Sequence, residues 1–156
     1  MTVGGGEGTR LGTLLTDIAI INQLTAAAAT RILAPVLGLS EFGLLNHMVR
    51  CGDGETPTRL ARTFQVSKPS MTATIARLAG KGFVAVEDDA ADGRSRRVRL
   101  TGPGRSAHTA ARDRMAGMQA ELFAGYDVAG LLAHADALAA LRAHLDTQRN
   151  VRDGLA

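Results

Sequence analysis

The stretch TPTRLARTFQVSKPSMTATIARLAGKGFVAVEDDAADGRSRRVRLT, residues 56–101, decides the fold. It reads as two short helices joined by a tight turn, followed by a two-stranded ribbon with a basic tip. In the first helix Thr56 is the N-cap and Pro57 the first helical residue, where a missing N–H costs little. Leu60, Ala61 and Phe64 face inward, and Gln65-Val66-Ser67 forms the turn. Ser67 caps the second helix and Pro69 sits in its first turn. Met71, Ile75 and Leu78 recur at helical spacing and predict one buried face. The opposite face carries Pro69, Ser70, Ala73, Ala76 and Arg77, flanked by Lys68, Thr72 and Thr74. It is small, neutral or positive, and no acid lies on it. A surface that serves solubility alone mixes both signs. A helix that enters a major groove keeps carboxylates away from phosphates and uses small residues at close approach.

Two packed helices imitate helix-turn-helix spacing easily, so the ribbon adds the stronger signal. Gly82 ends the helix, Phe83-Val84-Ala85-Val86 reads as a short strand, and Arg97-Val98-Arg99-Leu100 as its return. Asp92-Gly93 is a turn signal, and Arg94, Arg96 and Arg97 follow it directly. A hairpin tip has no structural need for three arginines. Such a tip suits a narrow, electronegative minor groove beside a helix in the major groove.

On the motifs SKPSMTATIARLAGKGFV and DGRSRRVRLTGPG, residues 60–101 resemble the winged helix-turn-helix of the MarR family of bacterial transcriptional regulators. The second motif matches that family's wing signature, an Asp and an Arg two apart before a basic-apolar strand ending in Leu-Thr. The flanking helices follow the family's order, so the likeness spans roughly residues 10–150. The resemblance implies that Arg94 enters the minor groove and that Asp92 orients it by a salt bridge. It also implies that the positions from Ser67 to Arg77 (Ser67, Lys68, Pro69, Ser70, Thr72, Ala73, Thr74 and Arg77) lie in the major groove. The chain departs from the family in having alanine at 73 and 76, where an Arg and an acid are frequent. That departure leaves open which side chains read bases. Arg77 is the groove-facing residue able to grip a guanine in bidentate fashion, with Ser70, Thr72 and Thr74 as weaker readers.

Around this block the expected organisation is mainly α with a small β-wing. A disordered tail covers 1–9, an N-terminal dimerisation helix 10–36 and the winged domain 37–101. C-terminal dimerisation helices cover 102–150, and a tail 151–156. Leu11, Leu14, Leu15, Ile18, Ile21, Leu24, Ala28 and Ile32 form one stripe of the first helix, and Ile20 off the stripe predicts a second covered face. Asp17, Asn22, Gln23 and Arg31 break the apolar run, so no membrane span is expected. Pro35 stops this helix. Ser40 reads as the N-cap of the next, with Leu39 stapled onto Leu44 and with Phe42, Leu45 and Val49 buried. Residues 51–55, CGDGE, read as a loop. A long helix runs from Thr101-Gly102-Pro103 to about Ala124. Asp127 then caps one last helix to about Asn150, with Val128, Leu131, Leu132, Ala135, Leu138, Leu141 and Leu145 on its inner side. These helices carry more apolar surface than a small winged domain can cover. An intertwined homodimer is the economical solution, and the resemblance implies the same.

Residues 59–105 hold ten Lys/Arg against four Asp/Glu, a net of +6, while the remainder nets −3 within an overall +3. A basic central block between mildly acidic helices points to local contact with a polyanion. Taken together, the expectation is a homodimeric transcriptional repressor on a near-palindromic DNA operator, released by a small-molecule effector. The competing readings are a winged-helix protein-interaction module without DNA binding, and a redox-responsive regulator acting through Cys51. The single cysteine and the absence of an apolar leader in MTVGGGEGTR fit a reducing cytoplasm. His47, on the helix that lines the effector pocket in relatives, and Cys51 are the candidate effector residues. No metal, cofactor or enzyme activity is expected, since His47, His108, His134 and His144 make no ligand spacing and no catalytic motif occurs.

Overall fold

A computed structural model describes the backbone of residues 5–89 and 92–152, with the side chains of 89, 92–95, 149–150 and 152 outside the described set. The elements are α1 (Gly5–Leu33), α2 (Leu39–Cys51), α3 (Pro57–Phe64), α4 (Lys68–Gly80), β1 (Val84–Asp89), β2 (Asp92–Leu100), α5 (Gly102–Leu122), α6 (Val128–Leu132) and α7 (Ala135–Arg152). The fold is mainly helical with one antiparallel two-stranded sheet, the winged helix-turn-helix arrangement expected. Two compact units divide the chain, one through Met118 and one from Gln119.

The core of the first unit is built where the helical and strand periods coincide. Leu44 and Leu45 of α2, Leu60 of α3, Leu78 of α4 and Val98 of β2 are each at most 1% exposed. Met71, Ile75, Leu37, Val84 and Leu100 complete the cluster, and Phe42, Phe64 and Phe83 close its rim. On α2 the buried apolar set is Leu44, Leu45 and Met48, while Phe42 is half-buried and Val49, expected inside, is exposed. Gly38, not Ser40, is the N-cap, and its N–H donates to the Glu41 carboxylate at 2.6 Å. Glu41 thereby acts as the returning acid of a capping box, and Leu39 falls inside the helix.

Thr56 and Ser67 cap α3 and α4 as expected, accepting from the N–H of Arg59 and Ser70. The turn between them closes without glycine: Gln65 adopts the left-handed region at φ 57°. Its N–H reaches Arg62 O, and that of Val66 reaches Ala61 O. The 51–55 segment is more than a loop. Gly54 N–H donates to Val98 O at 2.8 Å, and Val98 N–H to Glu55 O at 3.1 Å, so these residues line the edge of β2.

α1 takes in Gly5 to Thr9, which the sequence reading assigned to a tail; threonine hydroxyls bonding back four residues, Thr9 to Gly5 and Thr13 to Thr9, continue the helix there. Its last turns pack in, with Ala28, Ala29 and Met118 forming a small cluster. Leu11, Leu14, Leu15, Ile20, Ile21 and Leu24 stay 43–63% exposed. By length and a mean hydropathy of 1.3, α1 could cross a bilayer, a test the sequence reading expected it to fail.

Thr101 starts α5 by accepting from Gly104 N–H at 3.0 Å while its hydroxyl donates to Gly82 O at 2.7 Å. His108, 5% exposed, stacks on Phe42 and bonds Asn46 through Nε2 at 3.1 Å.

In the second unit Asp127 caps a helix as expected, accepting from Gly130 N–H at 2.9 Å. The single last helix is in fact two, α6 and α7. The chain remains right-handed at Ala133, but His134 N–H bonds Leu131 O, tightening the turn. No glycine or proline marks that break, and only Leu141 of the expected inner stripe is half-buried.

Two tests follow from this packing. A Cβ on Gly104 would overlap the Phe83 carbonyl and press on Leu100. Gly104→Ala is therefore expected to cost about 1–3 kcal/mol in denaturant unfolding. Burial first, and the Arg112 charge second, push the His108 imidazole below its ordinary value of 6.5. The unfolded chain then binds a proton that the folded one refuses, so stability is full above the ordinary imidazole value and falls as pH drops below it. Thermal unfolding compared at about pH 7.5 and 5.5 is expected to show that loss in the native chain and less of it in His108→Gln.

Candidate nucleic-acid interface

α4 is seated by Met71, Thr74, Ile75 and Leu78, which all point into the core. Lys68, Pro69, Ser70, Thr72, Ala73, Ala76 and Arg77 are exposed, so these expected groove positions share one outward surface with Ser67. Thr74 does not belong to it. It is 6% exposed, and its hydroxyl donates to Ser70 O at 3.1 Å. Three residues after Met71 and four before Leu78, it falls in the buried stripe, so its expected role as a base reader is corrected. The Ser67 and Ser70 hydroxyls lie 2.8 Å apart, and one already serves the cap.

Arg77, the residue expected to grip a guanine, has partners within the protein. Its Nη2 donates to Thr74 Oγ1 at 3.1 Å, and its Nε lies 3.4 Å from Glu41 Oε1. Glu41 belongs to α2 and is 2% exposed. Its other oxygen receives Lys81 Nζ at 2.8 Å, and Lys81 also donates to Val36 O. Burial works to raise the Glu41 carboxyl. The hydrogen bonds from Lys81 and Gly38 and the charges of Lys81 and Arg77 outweigh it, so the carboxyl is held below the ordinary value of 4.5. Oε1 nevertheless has no aligned hydrogen bond, and the 3.4 Å approach of Arg77 is an ionic contact only. Sequence reasoning missed Glu41 because it read the α4 face without the neighbouring helix; the signal was Glu three residues after Gly38.

The wing is longer than its apolar residues suggest. Val84 pairs with Leu100 and Val86 with Val98, and then Glu87 faces Arg97 and Asp88 faces Arg96. Opposite charges across strands extend the ladder past the hydrophobic positions. The expected turn at Asp92-Gly93 therefore lies within β2, and residues 90–91 lie outside the described ones. So do the side chains of Asp92 and Arg94, and with them the implied salt bridge. Arg96 projects outward, 72% exposed, at 3.9 Å from Asp88. Arg97 donates to Gly54 O at 2.9 Å and ties the wing to the 52–55 segment. Arg99 does the same through Asp53, whose second oxygen accepts Leu100 N–H at 2.8 Å.

The expected effector residues sit on one side of α2. His47 Nε2 meets Glu55 at 2.6 Å, Glu55 meets Arg59 at 2.9 Å, and Phe64 lies edge-on to the imidazole. Cys51 is exposed one turn on. Cavities occur elsewhere: a small one of about 40 Å³ among Leu33, Leu37, Ala111 and Arg114, and, within the second unit, one of about 440 Å³ lined by Phe123, Val128, Leu131 and Leu132.

A capped, acid-free helix held beside an antiparallel wing defines a winged helix-turn-helix protein. The MarR family model matches residues 37–95, the segment from the approach to α2 into the wing. Solved structures agree on the fold. MarR from E. coli, without ligand, is 23% identical with a TM-score of 0.70, covering 84% of this chain and 96% of its own. A mutant E. coli MarR complexed with operator DNA is 22% identical with a TM-score of 0.71, covering 90% and 99%. The organohalide-sensing regulator RdhR-CbdbA1625, bound to 2,4-dichlorophenol, is 20% identical with a TM-score of 0.75, covering 86% and 80%. No protein with a curated description matches the sequence.

Asp53 supplies the test of the wing anchor. Asp53→Ala removes the acceptor for Leu100 N–H and the partner of Arg99. It is expected to cost about 1–2 kcal/mol and to speed amide exchange through Arg97–Leu100, read by hydrogen–deuterium exchange.

Proposed function

We propose that the chain is a cytoplasmic, homodimeric transcriptional repressor that binds a near-palindromic DNA operator and is released by a small molecule. The observation that carries this reading is the exposed face of α4, Lys68 through Arg77, which holds no acid and stands beside a two-stranded wing whose return strand carries Arg94, Arg96, Arg97 and Arg99. A face of that kind tolerates close phosphates and offers hydroxyls and methyl groups to base edges. The fold relative solved with operator DNA supports the choice of partner, and the relative solved with 2,4-dichlorophenol supports a small-molecule effector.

Dimerisation is supported by the row Leu11, Leu14, Leu15, Ile21 and Leu24 left exposed on α1. Two-fold symmetry would place two α4 helices about one DNA turn, roughly 34 Å, apart. An effector acts on such a dimer by preferring a spacing that the operator does not accept, and it weakens DNA binding by that difference in affinity. One observation favours the second reading, a protein-interaction module: Arg77, Arg97 and Arg99 all make bonds within the protein.

Fluorescence polarisation against random and selected duplexes at several salt concentrations separates the two. If about five phosphates are neutralised, log K is expected to fall with log salt with a slope of about −4.5. Arg94→Ala is expected to abolish operator binding while the dimer persists in light scattering. Salt-insensitive behaviour with no duplex binding would favour the interaction module.

A further inference from the structure

Glu41 is an acid buried under a helix whose outward face excludes acids. A buried carboxylate is tolerated only when it is paired. Capping α2 does not by itself require the charge, because a glutamine at the same position returns to the same N–H. What glutamate adds is attraction for cations, and both cations that it meets come from α4 and its end. Lys81 lies 2.8 Å from Oε2, and Arg77 lies 3.4 Å from Oε1. Arg77 is also gripped on its own helix by the buried Thr74 hydroxyl at 3.1 Å. Its guanidinium, on a side chain 53% exposed, thus has one partner on α2 and one on α4. Moving it to a guanine would leave Oε1, already without an aligned hydrogen bond, with no cation beside it.

We propose that Glu41 is a positioning residue for DNA recognition: it draws Arg77 onto α2, away from base edges, and leaves readout by α4 to Ser70, Thr72 and Ala73. This rests on the DNA-binding reading above, and it replaces the guanine-gripping role expected of Arg77. Glu41 and Lys81 then set how α4 sits on α2. Arg77 serves as a clamp and adds nothing to sequence preference.

The test uses the full chain, with operator sequences selected from a random duplex pool by the native protein, Glu41→Gln and Arg77→Ala. Arg77→Ala is expected to select the same sequences as the native chain. Glu41→Gln keeps the cap acceptor and removes the charge, so it frees Arg77 and Lys81. It is expected to gain a guanine preference absent from the native chain and a salt slope steeper by about 1–2 per protomer. A relaxed base preference in Arg77→Ala overturns the proposal, because Arg77 would then be a reader. A folded Glu41→Gln with unchanged preference and slope overturns it as well. If Glu41→Gln does not fold, the Arg77→Ala selection decides alone. A native chain that binds no duplex at low salt sinks the regulator reading and the proposal with it, whereas native binding with an altered Arg77→Ala preference sinks the proposal only.

Discussion

The seating of α4 on α2 governs what the rest of the winged unit can do. A helix offers a fixed surface to a duplex only when its inner face cannot roll, and rolling is resisted here in two ways. Leu45 and Leu78, both 0% exposed, belong to one core cluster, and close-packed interiors resist rearrangement. Glu41 then adds direction, which apolar contact lacks, by linking the α2 N-terminus to Lys81 at the end of α4. Loss of one partner from such a buried pair costs far more than the pair contributes net, so the arrangement acts as a latch on geometry more than as a source of stability.

That latch changes how the charge of the molecule is understood. Formal counting assigns +6 to residues 59–105. Several of those cations already have internal work: Lys81 and Arg77 at Glu41, Arg97 at Gly54 O, Arg99 at Asp53 and Arg59 at Glu55. They divide by exposure. Arg59 is 77% exposed, and a pair of that kind is worth at most about 1 kcal/mol, so a phosphate can compete for it. Lys81 donates both to a carboxylate that is nearly sealed from water and to Val36 O, and nothing comparable draws it outward. The long-range field that steers a polyanion counts every charge, whereas close contact counts only those that can leave their partners.

Most of the architecture was legible because local chemistry and tertiary packing agree in it. Thr56, Ser67 and Asp127 cap where their side chains predict, and Met71, Ile75 and Leu78 are buried as their spacing requires. Several of the misses share a cause: they depend on a partner distant in sequence. Glu41 finds Lys81 forty positions away, Asp53 finds the Leu100 amide, and Arg97 finds the Gly54 carbonyl. No local period encodes those meetings. Thr74 is different, since its spacing from Met71 and Leu78 places it inside despite its polar side chain. The break between α6 and α7 has no signal in Ala133-His134 that a propensity argument could have used.

What remains open to solvent bears on the scale of assembly. The exposed row on α1 is made of leucine and isoleucine, each about half accessible. Removing half of such a side chain from water contributes on the order of 1 kcal/mol, and symmetry counts every contact twice. A few such residues per copy can therefore offset the entropy of association, with no need for aromatic anchors. Only one Tyr, four Phe and no Trp occur in the chain, and three of those Phe (Phe42, Phe64 and Phe83) are used at the rim of the winged core. An interface of small and branched aliphatics packs closely but has little directional character. In the dimer proposed above, a modest ligand would shift such an interface, because sliding between nearby packings breaks few hydrogen bonds. On the proposed function, the latch at Glu41 and the apolar row of α1 would divide recognition from response: the first would hold the reading surface constant, and the second would let the distance between two such surfaces vary.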